Sequence, residues 1–173
     1  MLSEFAALIP VVERILQHPH REIVVDTPLV QLEELTEPET EGFLELVTDA
    51  GTLAPAKDSL VHFEVEDRRY QFTHVYDQRP RVSYDTYPNR FLRWFLGRWR
   101  DALAADDPTR RRIDGLIASS ILKSVGALQH VSADHSVLRK DPNYREILLA
   151  SVRLSQALQD PRTAAPTEPE SAG

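Results

Sequence analysis

The residues best suited to chemistry lie between positions 84 and 100. Asn89, Arg90, Arg93, Trp94 and Arg100 interrupt one apolar run, with Gly97 among them. At about 100° per residue, Phe91, Leu92, Phe95, Leu96, Trp99, Ala102 and Leu103 share one broad face of a helix. Arg90, Arg93, Gly97 and Arg100 share the other, and Trp94 falls at its edge beside Arg90. An aromatic ring beside arginines, over a glycine that leaves room, can clamp an acidic side chain or stack on a base. The competing use is structural, with the tryptophan packed under a neighbour and the arginines paired to carboxylates. Arg110, Arg111 and Arg112 form a second basic cluster, in the first turn of another expected helix. Positive charge there opposes the helix dipole. The cluster therefore either meets a phosphate or carboxylate-rich partner or is neutralised by Asp106, Asp107 and Asp114.

Other chemistries are poorly supplied. His18 and His20 stand two apart around a proline, and His130 and His135 flank an expected loop. His62 and His74 belong to an expected hairpin. If Val65 pairs with Tyr70, His62 lies opposite Thr73 and His74 opposite Val61, so the two rings point to opposite faces. No trio of metal ligands emerges, and no metal or cofactor is expected. A PD-(D/E)xK nuclease needs an acidic-x-Lys strand. Glu64-Val65-Glu66 lacks the lysine, and none of Lys57, Lys123 and Lys140 follows an acidic residue at the required spacing. P-loop, nucleophile-elbow, zincin and dinucleotide glycine patterns are missing too. No catalytic residue is assigned and the reading leans towards binding, with an enzyme whose site lies around His62, His74 and nearby carboxylates as a third alternative.

Composition narrows the class. The chain has 173 residues and no cysteine, which rules out disulfides, thiolate zinc sites and a cysteine nucleophile. No apolar run approaches the roughly 20 residues of a membrane helix, and the first residues lack a basic leader. A cytoplasmic protein without membrane contact is expected. Net charge is −7, concentrated in residues 1–80, whereas residues 81–160 are net basic. The basic half suits either the acidic half of its own chain or an acidic partner.

The elements that must position these residues follow from periodicity and punctuation. Residues 3–17 carry helical spacing, with Ser3 as cap and Pro10 able to bend the helix or reset its start. Residues 21–25 suit a strand. Residues 29–58 stay open between strand and loop, and Phe43–Val47 suits a strand or a short helical turn. Alternation over residues 60–65 and 70–76 predicts a hairpin at about 60–76, connected by the four residues Glu66-Asp67-Arg68-Arg69. From residue 86 three helices are expected, at about 87–104, 108–130 and 142–158. Asp85 and Thr86 offer capping oxygens to the first, Asp107-Pro108 opens the second and Asp141-Pro142 the third. The second has a stripe of Ile113, Leu116, Ile117, Ile121, Leu128 and Val131. The expected fold is α+β: an N-terminal helix, a small β-sheet and a C-terminal three-helix bundle. Its expected division is 1–80 for helix and sheet, 81–160 for the bundle and 161–173 for a disordered tail.

Two segments also carry a resemblance. Ser83-Tyr84-Asp85-Thr86-Tyr87-Pro88-Asn89-Arg90-Phe91-Leu92 resembles a D-T-x-x-N-R-F segment, and Val137-Leu138-Arg139-Lys140-Asp141-Pro142-Asn143-Tyr144-Arg145 resembles a V-L-(basic)-x-x-P-x-Y-R segment. Both belong to a bacterial family of uncharacterised domains. In proteins similar to McrC, the nuclease subunit of modification-dependent restriction systems, that family precedes a PD-(D/E)xK nuclease. The resemblance implies a form without the nuclease, acting as a non-catalytic adaptor or subunit of a restriction or phage-defence assembly. Its partner would be an AAA+ motor or a nuclease, with DNA nearby. Asn89, Arg90, Arg93, Trp94 and Arg100, with Arg110–Arg112, would form the contact surface. The alternative is direct nucleic-acid binding by the basic helices.

Overall fold

The computed structural model describes residues 2–56 and 62–159, with side chains from Phe5 onward. The expected tail at 161–173, Lys57, Val61 and the side chain of Ser3 lie outside the described residues. In chain order the elements are α1 (Ile9–Gln17), β1 (Glu22–Asp26), β2 (Leu29–Gln31), α2 (Phe43–Thr48), β3 (Leu53–Pro55), β4 (Phe63–Val65), β5 (Arg68–Phe72), β6 (His74–Tyr76), β7 (Arg79–Ser83), α3 (Tyr87–Ala102), α4 (Pro108–Ile117), α5 (Ser120–Ser124), α6 (Ser136–Lys140) and α7 (Pro142–Gln159). The α+β class is therefore present, with an N-terminal helix, small antiparallel sheets and C-terminal helices.

The chain divides into two compact units. One joins the N-terminal segment up to Glu22 with everything described from Tyr84 onward, and the other is Ile23–Ser83. The N-terminal helix thus packs with the C-terminal helices, although the strands follow it in sequence. A 3₁₀ segment, Leu2–Leu8, leads into α1, and Pro10 stands in the first turn, where its missing N–H costs nothing. Pro10 resets the helix start rather than kinking it. The core of this unit is built from Ile9, Val12 and Ile15 of α1, Phe91, Leu92, Phe95, Leu96 and Trp99 of α3, and Ile113, Leu122, Leu138, Ile147 and Leu154. Complete burial of each large apolar side chain contributes roughly 1.5–3 kcal/mol.

Two of the expected helix starts are realised by their side chains. Asp107 accepts from Thr109 N–H at 2.7 Å, and Asp141 accepts from Asn143 and Tyr144 N–H at 2.9 and 3.1 Å. The start of α3 differs: the Thr86 hydroxyl is buried and makes no capping bond. The helix expected at 108–130 is also corrected. It breaks at Ser119, which is extended and accepts from Leu122 N–H to open the short α5. It ends at Ser124, and Val125 is extended. Leu122 and Val125 take the buried positions, while Val131, expected on the apolar stripe, is 52% exposed.

The second unit carries three small sheets, of order β1-β7, β2-β6 and β3-β5-β4. Its core is Val30, Leu46 and Val75, flanked by Leu35, Phe43, Phe72 and Tyr76. Phe72 stacks on Phe43 at 5.5 Å between ring centroids. The segment left open at 29–58 contains β2, α2 and β3, and Phe43–Val47 is a helical turn. The hairpin exists, but its expected register is wrong. Val65 pairs with Arg68 and Phe63 with Tyr70, so the connection is the two residues Glu66-Asp67. Both hold positive φ, 49° and 62°, the requirement of a two-residue turn that matches strand twist. Nor is 70–76 one strand: His74 pairs with Gln31 of β2, while Phe72 pairs with Leu53 of β3. Asp77 knots this unit. Its fully buried carboxylate accepts from Glu37 N–H at 2.7 Å, Thr36 N–H at 3.0 Å, the Thr36 hydroxyl at 3.1 Å and Arg79 Nε at 2.7 Å.

Candidate arginine–tryptophan cleft

Helix α3 presents two adjacent rows of side chains spaced four residues apart. Arg90, Trp94 and Arg98 form one, and Arg93, Gly97 and Asp101 the other. These rows and the irregular segment Gly126-Ala127-Leu128 enclose an open cleft of about 410 Å³. Trp94 is half-buried, tilted against Phe91 at 5.5 Å, so its body belongs to the edge of the core. The Arg98 guanidinium lies over the Trp94 ring, 5.4 Å from its centroid. Gly97 forms part of the floor, and a Cβ placed there would meet nothing within 4 Å.

Both walls are tied together by α3 and the residues just before it. Asp85 receives Arg90 through two bonds of 2.8 Å, Nε to one carboxylate oxygen and Nη2 to the other. The same carboxylate accepts the Gly126 N–H at 2.8 Å. Arg90, then the Gly126 amide, hold the Asp85 carboxyl down at about 2, and Asp85 in turn raises Arg90 above its ordinary value. Arg93 donates through Nη1 to the Val125 carbonyl. Two bonds thus hold the start of this segment outside a helix ladder, Gly126 N–H to Asp85 and Arg93 to the Val125 carbonyl.

The sequence-derived contact residues separate into three groups. Arg90, Arg93 and Trp94 line the cleft. Asn89 is buried and serves a structural knot: its Nδ2 donates to the His20 carbonyl at 2.8 Å and the Tyr84 carbonyl at 2.7 Å, while Tyr144 Oη donates to its Oδ1. Burial pushes the Tyr144 phenol up to about 12, so it remains a donor. Arg100 lies against Asp101 and Asp114, Arg110 donates to the Leu103 carbonyl at 3.1 Å, and Arg112 pairs with Glu13 at 2.8 Å. Arg111 is exposed and has no ion pair among the described residues. The eight residues therefore do not form one surface. Two parts of the cleft were not singled out from sequence. Arg98 carried a usable signal, its position four residues after Trp94. The wall at 126–128 carried none, because tertiary bonds set it.

Among the described residues, no group of three or more histidine or acidic side chains could hold a metal ion. No described helix is long and apolar enough to cross a membrane.

The fold and cleft define an α+β protein with a pinned, cationic-aromatic recess on its helical unit. The chain belongs to the DUF2357 family, a domain of unknown function, whose model matches residues 1–108. That span includes α3 and the Arg98–Trp94 pair, while Gly126 and Tyr144 lie beyond it. No curated protein and no solved structure matches the chain.

Proposed function

We propose that the chain is a non-catalytic docking module, an adaptor or subunit of a bacterial restriction or phage-defence assembly in the cytoplasm. Its partner protein, an AAA+ motor or a nuclease, engages the α3 cleft. The observation that carries the docking reading is the Arg98 guanidinium, exposed over Trp94 in a recess whose opposite wall is tied back to α3. Such a plate is built to receive an anion-bearing surface. The assembly itself is inferred from the resemblance of residues 83–92 and 137–145 to domains that precede the nuclease in McrC-like proteins.

Direct nucleic-acid binding is the less favoured reading. Arg110 and Arg112 are committed to Leu103 and Glu13, which leaves Arg111 alone of that cluster. The test is to read the genes beside its own and to coexpress the full chain with any AAA+ motor or nuclease they encode, followed by affinity capture and size exclusion. The reading expects a stable complex with one of them that Gly97→Phe weakens. Failure to form a complex with either product overturns it.

A further inference from the structure

The floor of the cleft poses a question that the fold does not answer. Glycine inside a helix costs about 0.5–1 kcal/mol relative to alanine. Gly97 stands mid-way along α3, and beyond its chain neighbours and its own helix backbone no atom lies within 4 Å of where a Cβ would be. Packing therefore does not require it. Gly115 of α4 is equally open, but it does not line this cleft. At Gly97 the missing side chain leaves open the row between Arg93 and Asp101, next to Arg98; Asp101 itself is held by Arg100.

The surrounding donors say what would lie there. Arg93 uses Nη1 on the Val125 carbonyl, and its other N–H groups have no partner among the described residues. Arg98 makes its ring contact with Trp94 and no ion pair among those residues. Across the recess, the backbone groups of Ala127 and Leu128 make no hydrogen bond within the described residues, although both line the cleft. The recess thus combines guanidinium forks on one side with main chain outside any helix or ladder on the other, its Ala127 and Leu128 groups unpaired among the described residues. Carboxylate is the planar acceptor that matches such a fork. Unpaired main-chain donors and acceptors are matched by the backbone of a peptide.

We propose that the cleft binds an acidic peptide segment of a partner protein. A side-chain carboxylate of that segment seats against Arg98 and Arg93 over Gly97, and its main chain runs beside Ala127–Leu128. This deepens the docking reading and rests on it for the location of the site. A peptide fits better than a nucleic acid because Arg98 already lies over the Trp94 ring, where a base would have to stack.

The test is fluorescence anisotropy on the full chain with three labelled probes: a decapeptide of alternating Glu and Thr, the same peptide with Gln for Glu, and an oligothymidylate. The acidic peptide is expected to bind saturably, with the Gln peptide about tenfold weaker. Arg98→Gln, an exposed change that leaves the core untouched, lowers affinity about tenfold, and Arg98→Lys restores it only in part because the fork is lost. Gly97→Phe, checked as folded by circular dichroism, abolishes binding. Equal binding of the acid and amide peptides, no binding to the folded wild type, indifference to Arg98→Gln, or tighter binding of the oligothymidylate each overturns the proposal. Peptide binding without any motor or nuclease complex sinks the assembly reading and supports this one. A motor or nuclease complex untouched by Arg98→Gln does the reverse.

Discussion

Tyr144 Oη donates its hydrogen bond to Asn89 Oδ1, 55 residues away in sequence. The starts of α3 and α7 are therefore bonded to each other through buried side chains. Tyr144 Oη also accepts the His20 N–H at 3.2 Å, so α3, α7 and the end of the N-terminal segment meet at one point. Every polar atom of the Asn89 amide side chain is engaged there, its Nδ2 twice and its Oδ1 once.

Asn89→Leu is expected to destabilise the protein by about 2–4 kcal/mol, because it strands the His20 and Tyr84 carbonyls and the Tyr144 hydroxyl together. Tyr144→Phe costs less, about 1–2 kcal/mol, and the double variant loses less than the sum of the two. Urea unfolding of the four proteins measures all three statements. The phenol also predicts an alkaline limb. Its folded value is raised from 10.0 to about 12, so its contribution is complete below pH 10 and fades as pH rises through the folded value. Tyr144→Phe should flatten that part of the stability profile, and an unchanged profile would remove the phenol from the account.

How far the sequence reveals such a site depends on the range of the forces that make it. Asp107-Pro108 and Asp141-Pro142 are local devices, and the starts of α4 and α7 could be read from them directly. The Asn89 knot could not, since its partners are two carbonyls and a phenol whose positions only tertiary packing sets. The hairpin register failed for a different reason. Glu66 is a poor residue for positive φ, and no Asn-Gly or Asp-Gly pair marks the turn, so the chemistry that points to a two-residue loop is missing. The end of the helix after Ser124 was hidden because helical spacing continues through Leu128, while the Gly126 N–H and Val125 carbonyl bond to Asp85 and Arg93 instead.

The Asp85 clamp predicts an acid limb localised to the cleft. Its folded carboxyl stands at about 2 against an ordinary 3.8, so its contribution is fully present above pH 3.8 and is lost as pH falls through about 2. The Gly126 amide proton reports this directly by NMR, because it is bonded to the titrating group. Its shift should move with a midpoint well below the ordinary carboxylate value. Asp85→Asn should remove the transition, and should loosen residues 126–128 as measured by faster amide exchange. A Gly126 amide that titrates near 3.8 would mean the clamp is not formed in solution.

Asp77 predicts a separate effect in the β unit. The Glu37 N–H, then Arg79, hold its buried carboxyl well below the usual carboxylate range. Asp77→Asn keeps the shape but sets an amide NH₂ against donors that need an acceptor. Amide exchange at Thr36 and Glu37 should accelerate, with little change at Gly126, which belongs to the other unit. Equal acceleration in both units would mean that they unfold as one.

Gly97 separates stability from binding. Gly97→Ala adds a methyl group that meets no atom within 4 Å and removes backbone freedom from the unfolded chain. The expected gain is about 0.5–1 kcal/mol in urea unfolding. A loss of stability instead would show that the helix needs glycine for its own packing.

The turn of the hairpin offers the opposite kind of change. Glu66 and Asp67 hold φ of 49° and 62°, a region that side chains bearing a Cβ enter at a cost. Asn is the better residue at the first of these positions and glycine at the second. Glu66→Asn with Asp67→Gly should therefore stabilise the β4–β5 hairpin, by about 1 kcal/mol, without altering the Val65–Arg68 register. Glu66 has no ion pair among the described residues, and the Arg69–Glu64 contact beside the turn is exposed and weakly worth keeping. Thermal unfolding measures the gain, and cross-strand amide contacts between Val65 and Arg68 measure the register. A destabilised double variant would mean that the loop forms a longer turn in solution, in which Arg68 and Arg69 leave the strand.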